Sequence, residues 1–514
     1  MPSAARMPMR PLEPMQGLPL ILVAIAISVA NFMQTLDLTI ANVAVPTIAG
    51  DLGVSPNMGT WMLTSFATPL AITLPLTGWL AQRFGQVRVF RISIMLFVAT
   101  SVLCGLAPNF ESLLIFRALQ GAASGPLTAL SQALLMAIFP AARRNVALAV
   151  WQTTTFVAPV LGPILGGWIS DSISWPWIFY VNAPIGILVV MMLSRGLAGR
   201  DNTLRKLPVD VIGLVLLALA FGSLQIFMDR GQDLDWFSAG SICLLAALFT
   251  VSLIALVLWE LTEAHPIVDL RLFADRNFSI GTVTVTLGFG VYYAALVLVP
   301  LWLQTQQGYT ATWAGVATAP LGIAGMLIAP LLGRYQSRAD PRWLATLALL
   351  GWAVASFWRM SFNTDVPLGE IACNSLLMGA ATAFFITPMV SLSLSALPRE
   401  RLPAASGLQN ALRRIGTSAA TSIAPTYFER HARLHQSYLV QRITPLDPAT
   451  SDWMARLEQA GMSAQSALAS VGRELDIQAH MLALNDFSFG CMVLFGATLG
   501  FVWCMQYRRA RQAS

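Results

Sequence analysis

The first long apolar run of the chain, residues 18–45, reads LPLILVAIAISVANFMQTLDLTIANVAV. It exceeds the roughly 20 residues that a helix needs to cross the hydrocarbon of a bilayer. It shows no two-residue alternation of the kind found in the strands of a membrane barrel, so we predict a helix. The run has polar residues at its centre and lacks a convincing small-residue cleavage site. We therefore predict an uncleaved membrane span rather than a signal peptide.

Runs of this type recur along the whole chain. Of its 514 residues 56% are hydrophobic and only 11% are charged, and the mean hydropathy is +0.65. A soluble domain carries roughly 25% charged residues, so lipid must contact most of this surface. We predict an all-α membrane protein with 14 transmembrane helices, near residues 18–45, 58–80, 88–107, 111–138, 145–169, 177–194, 208–228, 238–260, 278–303, 312–333, 343–361, 367–395, 402–428 and 483–506.

Arginines are concentrated in alternate loops. Arg83, Arg143 and Arg271 lie in loops of one set, whereas the short loops of the other set hold only Arg230 and Arg359. By the positive-inside rule the arginine-rich loops face the cytoplasm, and an even number of spans places both termini there. The net charge of +6 thus reports membrane orientation and gives no support to nucleic-acid binding.

One predicted outer segment, residues 429–482, is long and polar. We expect Ser451 and Asp452 to cap a short helix that ends at Gly461, and Ser463 to begin a helix leading into the last span. The segment is then a small ordered cap; the alternative is a solvated connector.

Two blocks of sequence occur twice in the same order. Thr60-Trp61 precedes Pro75-Leu76 as Thr312-Trp313 precedes Pro330-Leu331. Gly121-Ala122-Ala123 is followed by Pro140 at the same spacing that separates Gly379-Ala380-Ala381 from Pro398. We infer two pseudo-symmetric six-helix bundles, the arrangement of transporters that alternate access to a central site. The predicted organisation is a cytoplasmic tail (1–17), a first bundle (18–195), a linker with two inserted helices (196–277) and a second bundle with the C-terminal tail (278–514).

Asp37 is the first candidate for chemistry. A carboxylate inside an apolar run is costly unless it faces water or a cation, so it is suited to bind and release a proton as access alternates. The alternative is a structural carboxylate held by the backbone or by Thr39. Arg117, in the fourth run, is permanently charged and can tune a neighbouring acid or brace a helix interface.

The fifth run combines prolines and glycines in the stretch APVLGPILGG, residues 158–167. Such a helix bends and lets another backbone approach, which predicts a hinge; a tolerated kink is the alternative. Arg413 and Arg414 either face the cavity or, in the preferred interpretation, extend from a helix end towards water. Candidate cavity residues are polar or aromatic side chains of inner spans: Asn31, Phe32, Gln34, Trp151, Gln152, Tyr292, Tyr293, Gln304 and Asn410.

Several chemistries lack their motifs. The single lysine, Lys206, is not in a nucleotide-binding GxxxxGK[ST] loop, and neither HExxH nor GxSxG occurs. No Cys/His cluster is visible in the sequence, so no metal site is predicted. The chain is therefore expected to be no enzyme, and uphill transport must draw on an ion gradient or a separate ATPase.

These motifs together resemble the major facilitator superfamily, and within it the fourteen-span drug:proton antiporters of the EmrB type. The most specific matches are Leu36 to Pro46, GPILGG at 162–167 and WIFYVNAPIG at 177–186. The resemblance implies proton coupling at Asp37 with Arg117. It also implies an antiporter hinge at Pro159, Gly162, Pro163, Gly166 and Gly167, and a cytoplasmic gate at Gly78, Arg83, Gly85 and Arg88.

By the same resemblance, the protein exports hydrophobic or amphipathic drugs across the bacterial inner membrane. It uses the proton gradient and no other cofactor, and it works with a periplasmic adaptor and an outer-membrane channel that meet it at 429–482. Two other functions stay open: a dedicated exporter of one metabolite, such as a lipid-like acid or siderophore, and a membrane sensor or binding protein that does not transport.

Overall fold

The computed structural model describes residues 14–140, 143–200, 208–231, 234–335, 339–443 and 448–507. Most of both predicted tails, with Lys206, lies outside these ranges. The α-helices of the described part are α1 (Gly17–Asp51), α2 (Pro56–Gly59), α3 (Trp61–Phe84), α4 (Gln86–Gly105), α5 (Phe110–Ile138), α6 (Arg144–Ser172), α7 (Trp177–Tyr180), α8 (Asn182–Gly196), α9 (Val211–Arg230), α10 (Gly240–Thr262), α11 (Arg276–Thr305), α12 (Ala311–Tyr335), α13 (Pro341–Arg359), α14 (Leu368–Leu394), α15 (Leu402–Arg442), α16 (Pro448–Gln459) and α17 (Ala464–Trp503).

Thirteen of the predicted spans each overlap one long helix. The sixth, residues 177–194, covers two consecutive helices, α7 and α8. Ten helices of the described part are long and apolar enough to cross a membrane. Helices α6, α12, α13 and α15 correspond to the remaining four predicted spans.

The two sets of six helices pair in the same way. The α1–α6, α3–α5 and α4–α8 contacts of the first set recur as α11–α15, α12–α14 and α13–α17 in the second. The repeated glycines explain one of these pairs. A methyl group on Gly121 would collide with the Phe66 carbonyl oxygen of α3, and one on Gly379 would collide with the Leu321 carbonyl oxygen of α12. The duplicated sequence blocks thus form equivalent close helix contacts.

The inserted helices lie at the side of these two sets. Helix α9 contacts α3, α10 and α15, whereas α10 is mostly exposed, which is the position of a helix surrounded by lipid.

The two sets touch at the end of the molecule that carries the α3–α4 turn, which we call the arginine-rich end after Arg83 and Arg88. Here a methyl group on Gly78 would lie 2.5 Å from the Ala404 Cβ atom of α15, and one on Gly407 would lie 2.5 Å from the Leu74 carbonyl oxygen. The backbones of α3 and α15 therefore approach closely at this end.

Helices α15 and α17 extend well beyond the other end. They contain 41 and 40 residues, or about 60 Å of helix each, twice the roughly 30 Å of a bilayer core. We call residues 429–443 and 448–482 the projection; it consists of the far part of α15, of α16 and of the first turns of α17. From residue 429 onwards the sequence is mostly polar, so this position marks the edge of the apolar zone. Helix α15 continues past this edge to Arg442.

The predicted caps of the projection are correct at two of three positions. Gly461, with φ of +91°, follows the end of α16, and the Ser463 hydroxyl caps α17 by accepting from the Ser466 amide at 3.2 Å. The predicted cap at Ser451 and Asp452 is wrong, since α16 already begins at Pro448. The Ser451 hydroxyl instead donates to the Pro448 carbonyl within the first turn, at 2.9 Å.

Candidate functional site

Asp37, in the middle of α1, forms a buried ion pair with Arg117 of α5. The Arg117 Nη1 atom lies 2.7 Å from the Asp37 Oδ2 atom, and the side chains are 0% and 1% exposed. Of the two environments that make a carboxylate tolerable in a membrane, water or a cation, the structure provides the cation. Removing either partner would leave an uncompensated charge in a dry environment.

Two amide side chains complete the surroundings of the acid. Gln120 Nε2 donates to Asp37 Oδ1 at 3.1 Å, and Asn182 Nδ2 donates to the same oxygen at 2.9 Å. Gln120 also accepts from Arg117 Nη1 at 2.8 Å. The acid of α1 is therefore held by α5 and α8, and any change in its protonation alters the contacts between three helices.

Aromatic rings cover the arginine of this pair. The Arg117 Cζ atom lies 4.4 Å from the centre of the Phe66 ring and 5.5 Å from that of Phe179. These contacts favour the cation and exclude water from it. Its Nη2 atom has no hydrogen-bond partner among the described residues, so the guanidinium keeps a free donor for a rearranged state.

Thr39 does not hold the acid. Its hydroxyl donates to the Leu36 carbonyl at 2.9 Å and to the Ala158 carbonyl of α6 at 3.1 Å. The alternative of a carboxylate fixed by Thr39 is therefore wrong: this hydroxyl instead joins α1 to the predicted hinge.

The hinge glycines differ in their surroundings. A methyl group on Gly162 would collide with Thr39 Oγ1 and lie 2.5 Å from Thr39 Cβ, and one on Gly166 would lie 3.1 Å from the Ile40 carbonyl. No atom lies within 4 Å of the corresponding position on Gly167. Gly162 and Gly166 thus let α6 pack closely on α1 beside Asp37. The side chains of Pro159 and Pro163 lie outside the described part of the chain.

The four residues of the predicted gate take different positions. Gly78 lies inside α3 at the contact with α15, and Gly85, with φ of +91°, forms the turn between α3 and α4. The Arg83 guanidinium lies over the rings of Trp79 and Phe84, at 5.2 and 5.5 Å. Arg88, in the first turn of α4, is exposed.

A polar cavity of about 650 Å³, including the space at its mouth, lies between the two sets of helices. Five of the nine predicted cavity residues line it: Asn31, Gln34, Trp151, Tyr293 and Asn410. On α1, Gln34 precedes Asp37 by one helical turn, and both side chains contact α5, since the Thr128 hydroxyl donates to Gln34 Oε1 at 3.1 Å. The cavity and the buried acid therefore share the α1–α5 contact.

The other four predicted residues lie elsewhere. Phe32 packs against an apolar cluster around the C-terminal half of α1, and Tyr292 is buried against Trp352 within the second set of helices. Gln304 donates to the Pro300 carbonyl near the exposed end of α11. Gln152 donates to the Thr382 carbonyl at 3.3 Å and accepts from the Thr387 hydroxyl, so it joins α6 to α14.

Arg413 and Arg414 also line this cavity, contrary to the preferred interpretation that they sit at a helix end. Arg413 donates to Asn410 Oδ1 at 2.8 Å, and its Cζ atom lies 5.1 Å from the centre of the Phe289 ring. No carboxylate accompanies the two arginines among the described residues that line the cavity. Helix α15 begins at Leu402, as predicted, so Arg413 lies about three turns inside it and its side chain is held at the cavity.

Two equivalent six-helix sets around a polar cavity, with an ion pair buried beside it, define a membrane transporter and not an enzyme. Residues 27–421 match the family described as the Major Facilitator Superfamily. The chain belongs to this superfamily, and its predicted resemblance to EmrB-like exporters is confirmed.

The relatives share most of the chain. It is 43% identical to the multidrug export protein EmrB of Escherichia coli (strain K12) over 492 residues, 96% of each chain. It is 42% identical to the fatty acid resistance protein FarB of Neisseria gonorrhoeae over 490 residues, 95% of this chain and 97% of FarB. Among solved structures, the human organic anion transporter MFSD10 superposes with a TM-score of 0.58 at 14% identity, covering 93% of this chain and 100% of that one, which supports the fold.

Proposed function

We propose that this protein exports amphipathic small molecules across the bacterial inner membrane in exchange for protons. The observation that carries the proposal is the Asp37–Arg117 pair, a buried acid one helical turn from a polar cavity. The names of EmrB and FarB support export of toxic compounds as the biological activity.

The proposed coupling step is protonation of Asp37. A neutral Asp37 no longer attracts Arg117, and the guanidinium must then find another acceptor, which shifts α5 relative to α1. Because Gln34 and Thr128 connect the same two helices at the cavity, this shift changes the substrate site. Release of the proton on the opposite side restores the pair and resets the transporter.

The closed arginine-rich end agrees with this cycle when it faces the cytoplasm, as the positive-inside rule predicts. There Ser391 of α14 donates to Asn145 of α6 at 2.8 Å, and Asn410 of α15 donates to Gln132 of α5 at 2.7 Å. Substrate from the cytoplasm enters only after these bonds separate. Both termini then lie in the cytoplasm and the projection lies in the periplasm.

The projection is the part of the molecule that we expect to bind partner proteins. It extends past the membrane by a distance comparable to the bilayer core and presents polar helix surfaces. We propose that a periplasmic adaptor docks there and passes substrate to an outer-membrane channel.

The direct test is transport in proteoliposomes that contain the purified protein and an amphipathic dye. An imposed pH gradient is expected to drive dye against its concentration gradient, and dye addition is expected to move protons in the opposite direction. Dye binding without proton-linked flux would contradict the proposal and favour the non-transporting sensor.

The cavity arginines favour substrates with an anionic group, which gives weight to a dedicated exporter of one acid as the second candidate function. We expect Arg413→Gln to reduce transport of a fatty acid about tenfold while an amphipathic cation is less affected, because a charge-assisted hydrogen bond contributes about 1.5–3 kcal/mol. The measurement is the ratio of the two fluxes in the variant and the wild type, so changes in expression cancel. Equal losses for both substrates would show that Arg413 has a structural role.

A further inference from the structure

Two histidines and a carboxylate meet at the base of the projection. His431 and His435 lie one turn apart on α15, and Asp486 lies on α17. The Asp486 Oδ2 atom is 3.2 Å from His431 Nδ1 and 2.6 Å from His435 Nε2. The potential ligand atoms of the three residues all lie within 4.8 Å of one another. None of these residues belongs to the cavity or to the Asp37–Arg117 pair.

We propose that this cluster binds a divalent transition-metal cation, with Zn²⁺ as the cation that suits it best. Imidazole nitrogen and carboxylate oxygen are regular zinc ligands, at about 2.0–2.2 Å from the metal. Around a tetrahedral ion, ligand atoms at such distances are about 3.4 Å apart. The His431–Asp486 distance is already suitable, and His435 and Asp486 must separate by about 0.8 Å. The two histidine nitrogens lie within 4.8 Å of each other, so they must approach by at most about 1.4 Å.

The surroundings of the cluster suit an exchangeable ion. The side chains of His431, His435 and Asp486 are 32%, 24% and 42% exposed, so an ion and a water ligand can reach them. The His431 ring stacks on Tyr427, with 3.9 Å between ring centres, which fixes its orientation. Three protein ligands leave one coordination position for water.

The site joins α15 to α17, which are connected along the chain through the far end of the projection. A bound ion would tie α15 to α17 where both leave the apolar zone, and would therefore stabilise the base of the projection.

The test uses the full-length protein in detergent with its affinity tag removed, because a histidine tag binds the same ions. Co²⁺ serves as a spectroscopic substitute for Zn²⁺. Its titration is expected to produce the visible absorption of a four-coordinate Co²⁺ ion, which saturates at one equivalent per protein chain. Zn²⁺ is expected to displace it and to raise the Tm. His431→Ala, His435→Ala and Asp486→Asn are each expected to weaken binding at least about tenfold, and His265→Ala, on an exposed loop, is the matched control.

The alternative for the same geometry is a pair of neutral histidines that donate to Asp486 without a metal. It predicts no four-coordinate absorption, no Tm rise with Zn²⁺ and the same titration for wild type and variants; that result would overturn the proposal. Because Co²⁺ binding is measured without substrate or a pH gradient, its outcome is independent of the proposed transport.

Discussion

Asp37→Asn is expected to abolish substrate-linked proton movement in proteoliposomes, to the level of empty vesicles. Asparagine fits the space and can still accept one hydrogen bond from Arg117, but it cannot bind and release a proton. Substrate binding is expected to survive, because Asp37 does not line the cavity. The measurement is proton flux after substrate addition, together with substrate binding to the same preparation.

The variant also leaves the Arg117 charge buried without its partner, which costs about 3–5 kcal/mol and can lower the yield of folded protein. The double variant Asp37→Asn with Arg117→Gln removes both charges and is expected to recover stability without recovering coupling. Asp235→Asn is the matched control, since this carboxylate is 82% exposed on the α9–α10 connection. Normal proton coupling in Asp37→Asn would refute the role assigned to this acid.

Gly162→Ala is expected to reduce transport more than about tenfold, with a loss of about 1–3 kcal/mol in stability. The added methyl group collides with Thr39, whose backbone belongs to the same helix as Asp37. Helices α1 and α6 must then separate, which disturbs the hydrogen bond from Thr39 to Ala158. The measurements are the Tm and dye flux in proteoliposomes.

Gly167→Ala provides the matched comparison, because the same methyl group meets no atom within 4 Å there. Both substitutions add alanine to the same helix, so their intrinsic effect on helix formation is similar. Equal flux in the two variants would show that close packing at Gly162 does not matter for transport.

The number and order of the spans could be predicted because lipid requires long apolar helices and arginines mark alternate loops. Asp37 was recognisable as an acid in an apolar run. Gly121 and Gly379 were recognisable as a repeat, and the structure gives their physical reason, the approach of Phe66 and Leu321.

The partners of these residues could not be predicted in the same way. Gln120 and Asn182 are ordinary amides in sequence, and only the packing of α5 and α8 on α1 brings them to Asp37. The predicted thirteenth span ended where polar residues begin, although α15 continues to Arg442. That boundary separated His431 and His435 from their helix, so their one-turn spacing and the approach of Asp486 remained hidden.

The length of α15 has a mechanical consequence. One helix carries Gly407 at the arginine-rich end, Arg413 in the cavity and His431 in the projection. If it moves as a rigid lever, a tilt of a few degrees at the closed end displaces the far tip by several ångströms, since the helix is about 60 Å long. Anything that binds the tip, whether an ion or another protein, would then resist the separation of α15 from α3 at the arginine-rich end.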